Sequence, residues 1–340
     1  MVLFFIGLGL GNVSSMSPNS GDEKDITVKG LEAVKSCKYV FLDSYTAILG
    51  ISRTKLVLSD CETEQEEFYG IPIVEADREL VEQQSKQILQ NALVANVAFL
   101  VVGDPFAATT HTDLLLRAAE KNVKVQAIHN ASIMSAAGVC GLTLYNFGQT
   151  VTIPFFTDKW RPDSFYDKIK VNLAAKFHTL ALLDIKVKEQ SEENLAKGKK
   201  VYEPPRFMTI NTAIQQLLEV EDRRKEGGMF VVADTPCIGL ARIGRDDQQV
   251  VSGGLGDLVK IDFGGPLHSL VVAGEMHFIE EEMYEFYHWD KTRRKAAKEE
   301  TERKQSEARK LQQAAKSTLS SSSSVSTSSS STASSSKRGT

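Results

Sequence analysis

Apolar runs of four to six residues recur through the first 130 positions, each followed by a polar or glycine-containing stretch. At residues 2–6 and again at 97–102 (Val-Ala-Phe-Leu-Val-Val) the apolar side chains follow one another without alternation. That is the pattern of a strand buried on both faces. Residues 39–42, 71–74 and 123–128 read as further strands. Between the runs the spacing becomes helical. Val28, Leu31, Val34 and Cys37 share one face of a helix over 27–37, residues 77–92 carry their charges on an outer face, and another helix covers 110–120. Ser132 is placed to cap a short helix beginning at Ile133. Strands alternating with helices predict a largely parallel sheet covered on both faces.

After about residue 135 the rhythm changes. Strand patterns at 150–155, 178–184, 237–243, 248–252 and 267–272 are unevenly spaced, with helices near 162–175 and 208–223. This predicts an α+β region with a mixed sheet. The expected organisation is therefore an N-terminal α/β domain over 1–135, a C-terminal α+β domain over 136–289 and a tail over 290–340. In the tail, residues 291–316 are dense in both charge signs and 319–336 are almost purely Ser and Thr. Such a composition cannot bury enough surface to offset its chain entropy, so the end of the tail is expected to be disordered.

Composition adds exclusions. With 340 residues and 25% charged side chains the chain is an ordinary globular one, and its net charge of −4 speaks against a nucleic-acid binder. Cys37, Cys61, Cys140 and Cys237 form no CxxC pair and have no histidine at ligand spacing, so they read as reduced thiols with no metal site. The apolar start lacks a basic n-region, and no stretch approaches the roughly 18 apolar residues of a membrane span. A cytoplasmic protein without membrane contact is expected.

Candidate chemistry gathers at three strand-to-helix junctions. Gly7, Gly9 and Gly11 follow the first strand, but a dinucleotide fingerprint needs a further glycine where Asn12 stands, and residues 13–22 form a polar loop before any helix. The phosphate reading fails. What remains open is a tight turn or backbone exposed to a ligand without phosphate. Gly103-Asp104-Pro105 ends the strand over 97–102, with Thr109, Thr110 and His111 close behind; it reads as a βα turn or as a carboxylate offered to a cationic or hydroxylated ligand. His129 and Asn130 precede Ser132 at the third junction, with His129 expected as a core histidine. Open α/β sheets bind ligands at the carboxyl ends of their strands, where these three junctions fall. His268, inside the apolar strand 267–272, is either a hydrogen-bonded core residue or one that reaches the same crevice. No nucleophile elbow and no H-E-x-x-H helix occurs.

Several segments are distinctive: Ile6-Gly-Leu-Gly-Leu-Gly11, Lys24-Asp-Ile-Thr-Val-Lys-Gly-Leu-Glu32, Val102-Gly-Asp-Pro-Phe106 with Ala108-Thr-Thr-His111, and Ile128-His-Asn-Ala-Ser-Ile-Met134. Further along come Thr157-Asp-Lys-Trp-Arg-Pro162, Leu182-Leu-Asp-Ile-Lys-Val187 and Gly239-Leu-Ala-Arg-Ile-Gly244. Up to about residue 275 the chain closely resembles the diphthine methyl ester synthase family, the methyltransferases of diphthamide biosynthesis, whose archaeal relatives are diphthine synthases. The resemblance implies a tetrapyrrole-methylase-like (class III methyltransferase) fold, two α/β domains with S-adenosylmethionine in the cleft between them, and a homodimer. It places cofactor contacts at Leu10, Asp104, Ala107, Ser132, Ile133, Leu183, Ile243 and His268. Ala107 stands where the family usually has glycine, so a methyl group has to be accommodated there, and the loop 13–22 is longer than expected. The implied substrate is elongation factor 2 carrying a 3-amino-3-carboxypropyl group on a histidine, methylated three times on the amine and once on the carboxylate. Other readings are archaeal-type trimethylation alone, a tetrapyrrole-precursor methyltransferase, and a scaffold that binds translation factors. His111 is the candidate for a base, should one assist.

Overall fold

Alternate residues of the early apolar strands serve two different cores. In the computed structural model, which describes residues 1–11, 23–44, 69–107, 109–187, 198, 201–224, 232–290 and 301–304, Leu3 and Phe5 of β1 (Val2–Gly7) pack with Phe41, Val97, Phe99 and Val101. Ile6 packs on the opposite face with Val40, Leu42, Ala98, Leu100 and Ile128. These come from β2 (Tyr39–Asp43), β4 (Val97–Val101) and β5 (Lys124–Ile128), which with β3 (Ile73–Ala76) form a parallel sheet in the order β3-β2-β4-β1-β5. Burial on both faces is why these strands read as unbroken apolar runs. One face is covered by α1 (Val28–Lys35) through Ala33 and Val34; the other by α2 (Lys86–Val94) and α3 (Thr112–Glu120), through Ile88, Leu89, Ala92, Leu114 and Ala118.

Two details of the spacing resolve differently. Val28 is 75% exposed, although it shares helical spacing with Leu31 and Val34. Thr27 caps α1 by accepting the Gly30 N–H (3.0 Å), and Gly30 comes so close to β1 that a Cβ there would lie 3.0 Å from Ile6 Cγ2. The buried stripe is therefore centred on Gly30, Ala33 and Val34, and Val28 turns outward. The helix expected over 77–92 is divided into a π-helical turn, Glu79–Gln83, and α2.

The second sheet is mixed, as the uneven spacing suggested. It contains β6 (Val151–Ile153), β7 (Thr179–Leu183), β10 (Pro236–Ala241), β11 (Gln249–Gly254) and β12 (His268–Val272) in the order β11-β10-β12-β7-β6, with only β6 and β7 parallel. The short α4 (Ile133–Ala136) precedes these strands, and between them come α5 (Ser164–Ala174), a two-stranded hairpin of β8 (Ile185–Lys186) and β9 (Arg206–Phe207), α6 (Ile210–Arg224) and α7 (Leu255–Leu258). Ile210, Ala213, Ile214, Leu217 and Val220 of α6 are fully buried against one face, the i, i+3, i+4, i+7 stripe of an amphipathic helix. The opposite face packs against residues 137–142 and Tyr284 of α8 (Phe278–Phe286), a helix the sequence reading did not single out.

Both sheets belong to the unit Met1–Trp289; Asp290–Thr340 forms the other. The loop 13–22, Cys61 and the Ser/Thr run 319–336 lie outside the described residues, as does most of 291–316, of which 301–304 is helical. Cys37, Cys140 and Cys237 are free and buried, and burial pushes the thiols of Cys37 and Cys140 up to about 11 and that of Cys237 higher still. Among the described residues no helix is long and apolar enough to cross a membrane, and no cluster of three or more His, Cys, Asp or Glu could hold a metal ion.

A buried polar knot ties α8 to the second sheet and makes stability pH-dependent. Glu280 Oε2 accepts the His277 N–H (3.0 Å), and its Oε1 accepts the Thr143 N–H (2.8 Å) and lies 3.4 Å from His178 Nε2. His178 Nδ1 accepts the Gly274 N–H (3.0 Å). Burial lowers the His178 pKa from 6.5 and outweighs the pull of Glu280 in the other direction. Burial raises the Glu280 carboxyl, but the N–H groups donated to it win and bring it from 4.5 to about 2. In both cases the unfolded chain binds the proton more readily, so stability rises with pH across each window. The thermal midpoint is expected to fall as pH drops below 6.5, and again below 4.5. Calorimetry from pH 7.5 to 4 checks this, and a flat profile would count against the knot.

Candidate active site

Because β4, β1 and β5 are parallel neighbours, their carboxyl ends share one edge of the sheet. The segments leaving β1 and β4 pair there. Leu8 N–H donates to the Val101 carbonyl (2.8 Å), and Gly9 and Gly103 exchange both backbone hydrogen bonds (3.2 and 2.8 Å). Gly103 adopts φ +79°, which a side chain would strain, and a Cβ at Gly7 would sit 2.5 Å from the Gly103 carbonyl oxygen. The first two glycines of the run therefore serve backbone pairing, and the turn carries Leu10 beyond them.

Polar side chains lock the three junctions together. Asn130 Nδ2 donates to the carbonyls of Gly7 (3.0 Å) and Asp25 (2.9 Å), while Asp25 Oδ2 accepts the Gly11 N–H (2.7 Å). Asp104 accepts from three donors: Phe106 N–H at Oδ1 (2.9 Å), and Asn130 N–H (3.2 Å) and His129 Nδ1 (2.7 Å) at Oδ2. The βα-turn reading of Asp104 thus holds through Phe106, and the carboxylate also reaches across to the segment that follows β5. Ser132 precedes α4 in extended conformation, with its N–H donated to Ser135 Oγ (3.3 Å).

A cavity of about 350 Å³ opens at this edge. Leu10, Asp104, Ala107, Ser132 and Ile133 line it from the first sheet's junctions, and Leu183, Ile243 and His268 line it from the second sheet. The eight positions the family resemblance singled out are thus brought together. Ala107 faces the cavity from a turn in which its N–H donates to the Asp104 carbonyl (3.3 Å).

His268 is held on both nitrogens. Nδ1 accepts the N–H of Ile210, the first residue of α6 (3.3 Å), and Nε2 is 2.9 Å from the Gly265 carbonyl, so the ring is neutral with its proton on Nε2. Burial lowers its pKa in keeping with that state. Arg242 shapes the approach to it: Nη1 donates to the carbonyls of Phe263 (2.6 Å) and Gly265 (2.7 Å), and Nε pairs with Asp247 (2.9 Å). Asp184 Oδ2 accepts the Phe155 N–H (3.0 Å) where β6 and β7 end.

Two histidines are not where the sequence suggested. His129 was expected in the core, but its side chain is 67% exposed, because it lies just past β5 and is drawn to Asp104 at the surface. His111, the candidate base, is fully buried, with Nε2 3.5 Å from Asp43 and Nδ1 3.2 Å from the Pro105 carbonyl. It is not among the residues lining the cavity. Thr152 and Arg245 do line it without any local signal in the sequence; Thr152 lies on an ordinary short strand, and Arg245 is brought in by the turn after β10.

The sequence profile of the tetrapyrrole (corrin/porphyrin) methylases matches residues 2–259. The chain is 52% identical over 289 residues to the diphthine methyl ester synthase of Homo sapiens, covering 84% of this chain and 95% of the relative. It is 52% identical over 287 residues to that of Dictyostelium discoideum, covering 84% and 98%. A crystal structure of diphthine synthase superposes with a TM-score of 0.67 at 33% identity, covering 85% of this chain and 96% of the other.

Proposed function

The chain belongs to the tetrapyrrole (corrin/porphyrin) methylase family and within it to the diphthine methyl ester synthases, and from that premise we propose that it modifies elongation factor 2. It is an S-adenosylmethionine-dependent methyltransferase. Its acceptor is a 3-amino-3-carboxypropyl group on a histidine of the factor, methylated three times on the amine and once on the carboxylate, and it works as a cytoplasmic homodimer. The observation that carries this reading is the convergence of Leu10, Asp104, Ala107, Ser132, Ile133, Leu183, Ile243 and His268 on one cavity.

The cavity suits the cofactor in size and lining. About 350 Å³ falls within the range of small-molecule sites. Leu10, Ile133, Leu183 and Ile243 offer apolar surface to a purine, and Asp104 and Ser132 bring polar groups. S-adenosylmethionine supplies a methyl group on a sulfonium, already electrophilic without further activation. The protein's task is then to orient the acceptor and exclude water. The paired glycines and the Asp104–Asn130 links fix one wall, and Arg242 and His268 fix the other. A neutral His268 adds no positive charge beside a cationic donor.

Mass spectrometry of elongation factor 2 from cells lacking this step, incubated with the protein and S-adenosylmethionine, tests the reading. A gain of four methyl groups is expected, three would mean trimethylation alone, and none would exclude this substrate. The eukaryotic relatives are named for a methyl ester, which favours four. Deleting residues 290–340 is expected to leave the rate within about twofold, since every described residue that lines the cavity belongs to Met1–Trp289. A tenfold loss in the truncated protein would give the tail a part in substrate capture.

A further inference from the structure

Resting on the reading that the acceptor is a 3-amino-3-carboxypropyl group, we propose that Asp184 and Arg242 form the subsite that seats its charged ends, the ammonium on Asp184 and the carboxylate on Arg242. Both residues line the cavity. Each comes directly after a strand, Asp184 after β7 and Arg242 after β10. Between those strands lies β12, antiparallel to both, with Ser269 opposite Leu182 and His268 opposite Ala241. The register therefore brings the two residues to the same edge, and two strand spacings set their backbones roughly 10 Å apart. Side chains reaching inward across that gap leave room for a group whose two charges stand on one carbon.

Each side chain is fixed by part of its polar surface and presents the rest. Asp184 Oδ2 accepts the Phe155 N–H (3.0 Å) and lies 3.6 Å from Lys186 Nζ, whereas Oδ1 has no hydrogen-bond donor among the described residues. The Arg242 guanidinium is clamped through Nη1, by the carbonyls of Phe263 and Gly265, and through Nε, by Asp247; its Nη2 has no acceptor among the described residues. With its side chain only 10% exposed, Arg242 keeps its charge in a largely dry place, where a donor without an acceptor is costly. Arg245 adds a second cation at that end, with Nε 2.9 Å from the same Asp247. Asp104, the other carboxylate of the cavity, is already acceptor to three donors of the first wall. The second wall thus has an acidic end at β7 and a basic end at β10, the complement of an α-amino acid headgroup.

The charges of the successive products give the proposal its signature. The trimethylated nitrogen is as positive as the ammonium it replaces, so Asp184 attracts the group before and after the nitrogen transfers. Esterification removes the negative charge, and Arg242 loses its ion partner. The methyl ester is therefore held more weakly than the trimethylated acid, which favours its release. The cofactor also carries an α-amino acid headgroup, so affinity for S-adenosylhomocysteine tells which of the two headgroups these side chains hold.

The test compares, in the presence of S-adenosylhomocysteine, the binding of the factor carrying the 3-amino-3-carboxypropyl group with that of the factor carrying the bare histidine. The wild-type protein is expected to prefer the modified form by about 100-fold, and Asp184→Asn and Arg242→Gln should each cut that preference about tenfold. Asp184→Asn keeps an acceptor for the Phe155 N–H. A mere loss of packing weakens both forms together and leaves their ratio unchanged, so the ratio reports the subsite itself. Affinity for S-adenosylhomocysteine should stay within about twofold in both variants, and the wild-type protein should bind the trimethylated acid about tenfold more tightly than its methyl ester, a difference that Arg242→Gln abolishes. The proposal is overturned if the ratio survives both substitutions, or if S-adenosylhomocysteine affinity falls while the ratio stays, since the side chains would then hold the cofactor's headgroup. A wild-type protein that neither binds nor methylates any form of the factor would overturn the substrate assignment, and the ligand of the subsite with it.

Discussion

Asp104→Ala is expected to abolish measurable methyl transfer and to weaken S-adenosylhomocysteine binding by about 100-fold, equivalent to roughly 2.7 kcal/mol. The carboxylate is acceptor to Phe106 N–H, Asn130 N–H and His129 Nδ1. Alanine leaves all three without it; the exposed His129 can turn to water, but the part-buried Phe106 and Asn130 N–H groups cannot do so freely, and a donor left unsatisfied in a buried place costs about 1–3 kcal/mol. Phe106 precedes Ala107, and Asn130 leads to Ser132 and Ile133, so two stretches of the cavity wall relax at once. The first glycine turn relaxes with them, since Asn130 also holds the carbonyls of Gly7 and Asp25. Asp104→Asn, which keeps an acceptor for one N–H but offers an amide where His129 donates, should fall between alanine and wild type. Calorimetric titration measures the affinity, and a dissociation constant for the alanine variant within threefold of wild type would show that the three junctions hold their shape without this carboxylate.

How much of this was legible in advance depends on whether each feature is local. The parallel sheet was, because strands such as 97–101, buried on both faces, have to be continuously apolar, and Gly103 marked the end of one of them by a conformation that only glycine adopts without strain. The three junctions were legible too, since the strand-to-helix rhythm sends them all to carboxyl ends. The histidines were not. His111 and His129 each sit beside a polar or glycine-containing turn, and nothing in the flanking residues says that one is drawn under the sheet toward Asp43 while the other is drawn out to Asp104. Those partners are 68 and 25 residues away, a separation no short window reaches. The same is true of α8, whose anchoring residue Glu280 is acidic by composition yet is 1% exposed because Thr143 and His277 supply its hydrogen bonds. The second wall of the cavity was legible through resemblance to a family, not through periodicity: Leu183, Ile243 and His268 lie on three different strands or their ends.

The junction between the two walls carries the other large effect. Gly244 has φ +91°, and a Cβ there would lie 2.6 Å from Leu10 Cβ and 3.6 Å from Gly11 N. Gly244→Val therefore meets two penalties: a backbone conformation that disfavours a β-branched residue by roughly 1–3 kcal/mol, and direct overlap with the loop after β1. That loop cannot yield freely, since Asp25 holds Gly11 N–H at 2.7 Å and Gly9 is paired with Gly103. The rims that carry Leu10 and Ile243 are then forced apart. Turnover per cofactor bound is expected to fall about 100-fold, the scale of a misplacement near 1 Å in a site that works by positioning. The thermal midpoint should fall by only several degrees, because none of the four core clusters contains Gly244. Gly244→Ala, with the same φ penalty and a smaller overlap, should show a weaker form of both effects. Combining it with Leu10→Gly removes the overlapping Cβ and leaves the φ strain, so a double-mutant cycle separates the two. A positive coupling in the cycle means the rim contact itself sets the geometry of transfer. Strict additivity would assign the whole effect of Gly244→Ala to the backbone, and the contact between Leu10 and Gly244 would then have no part in closing the site.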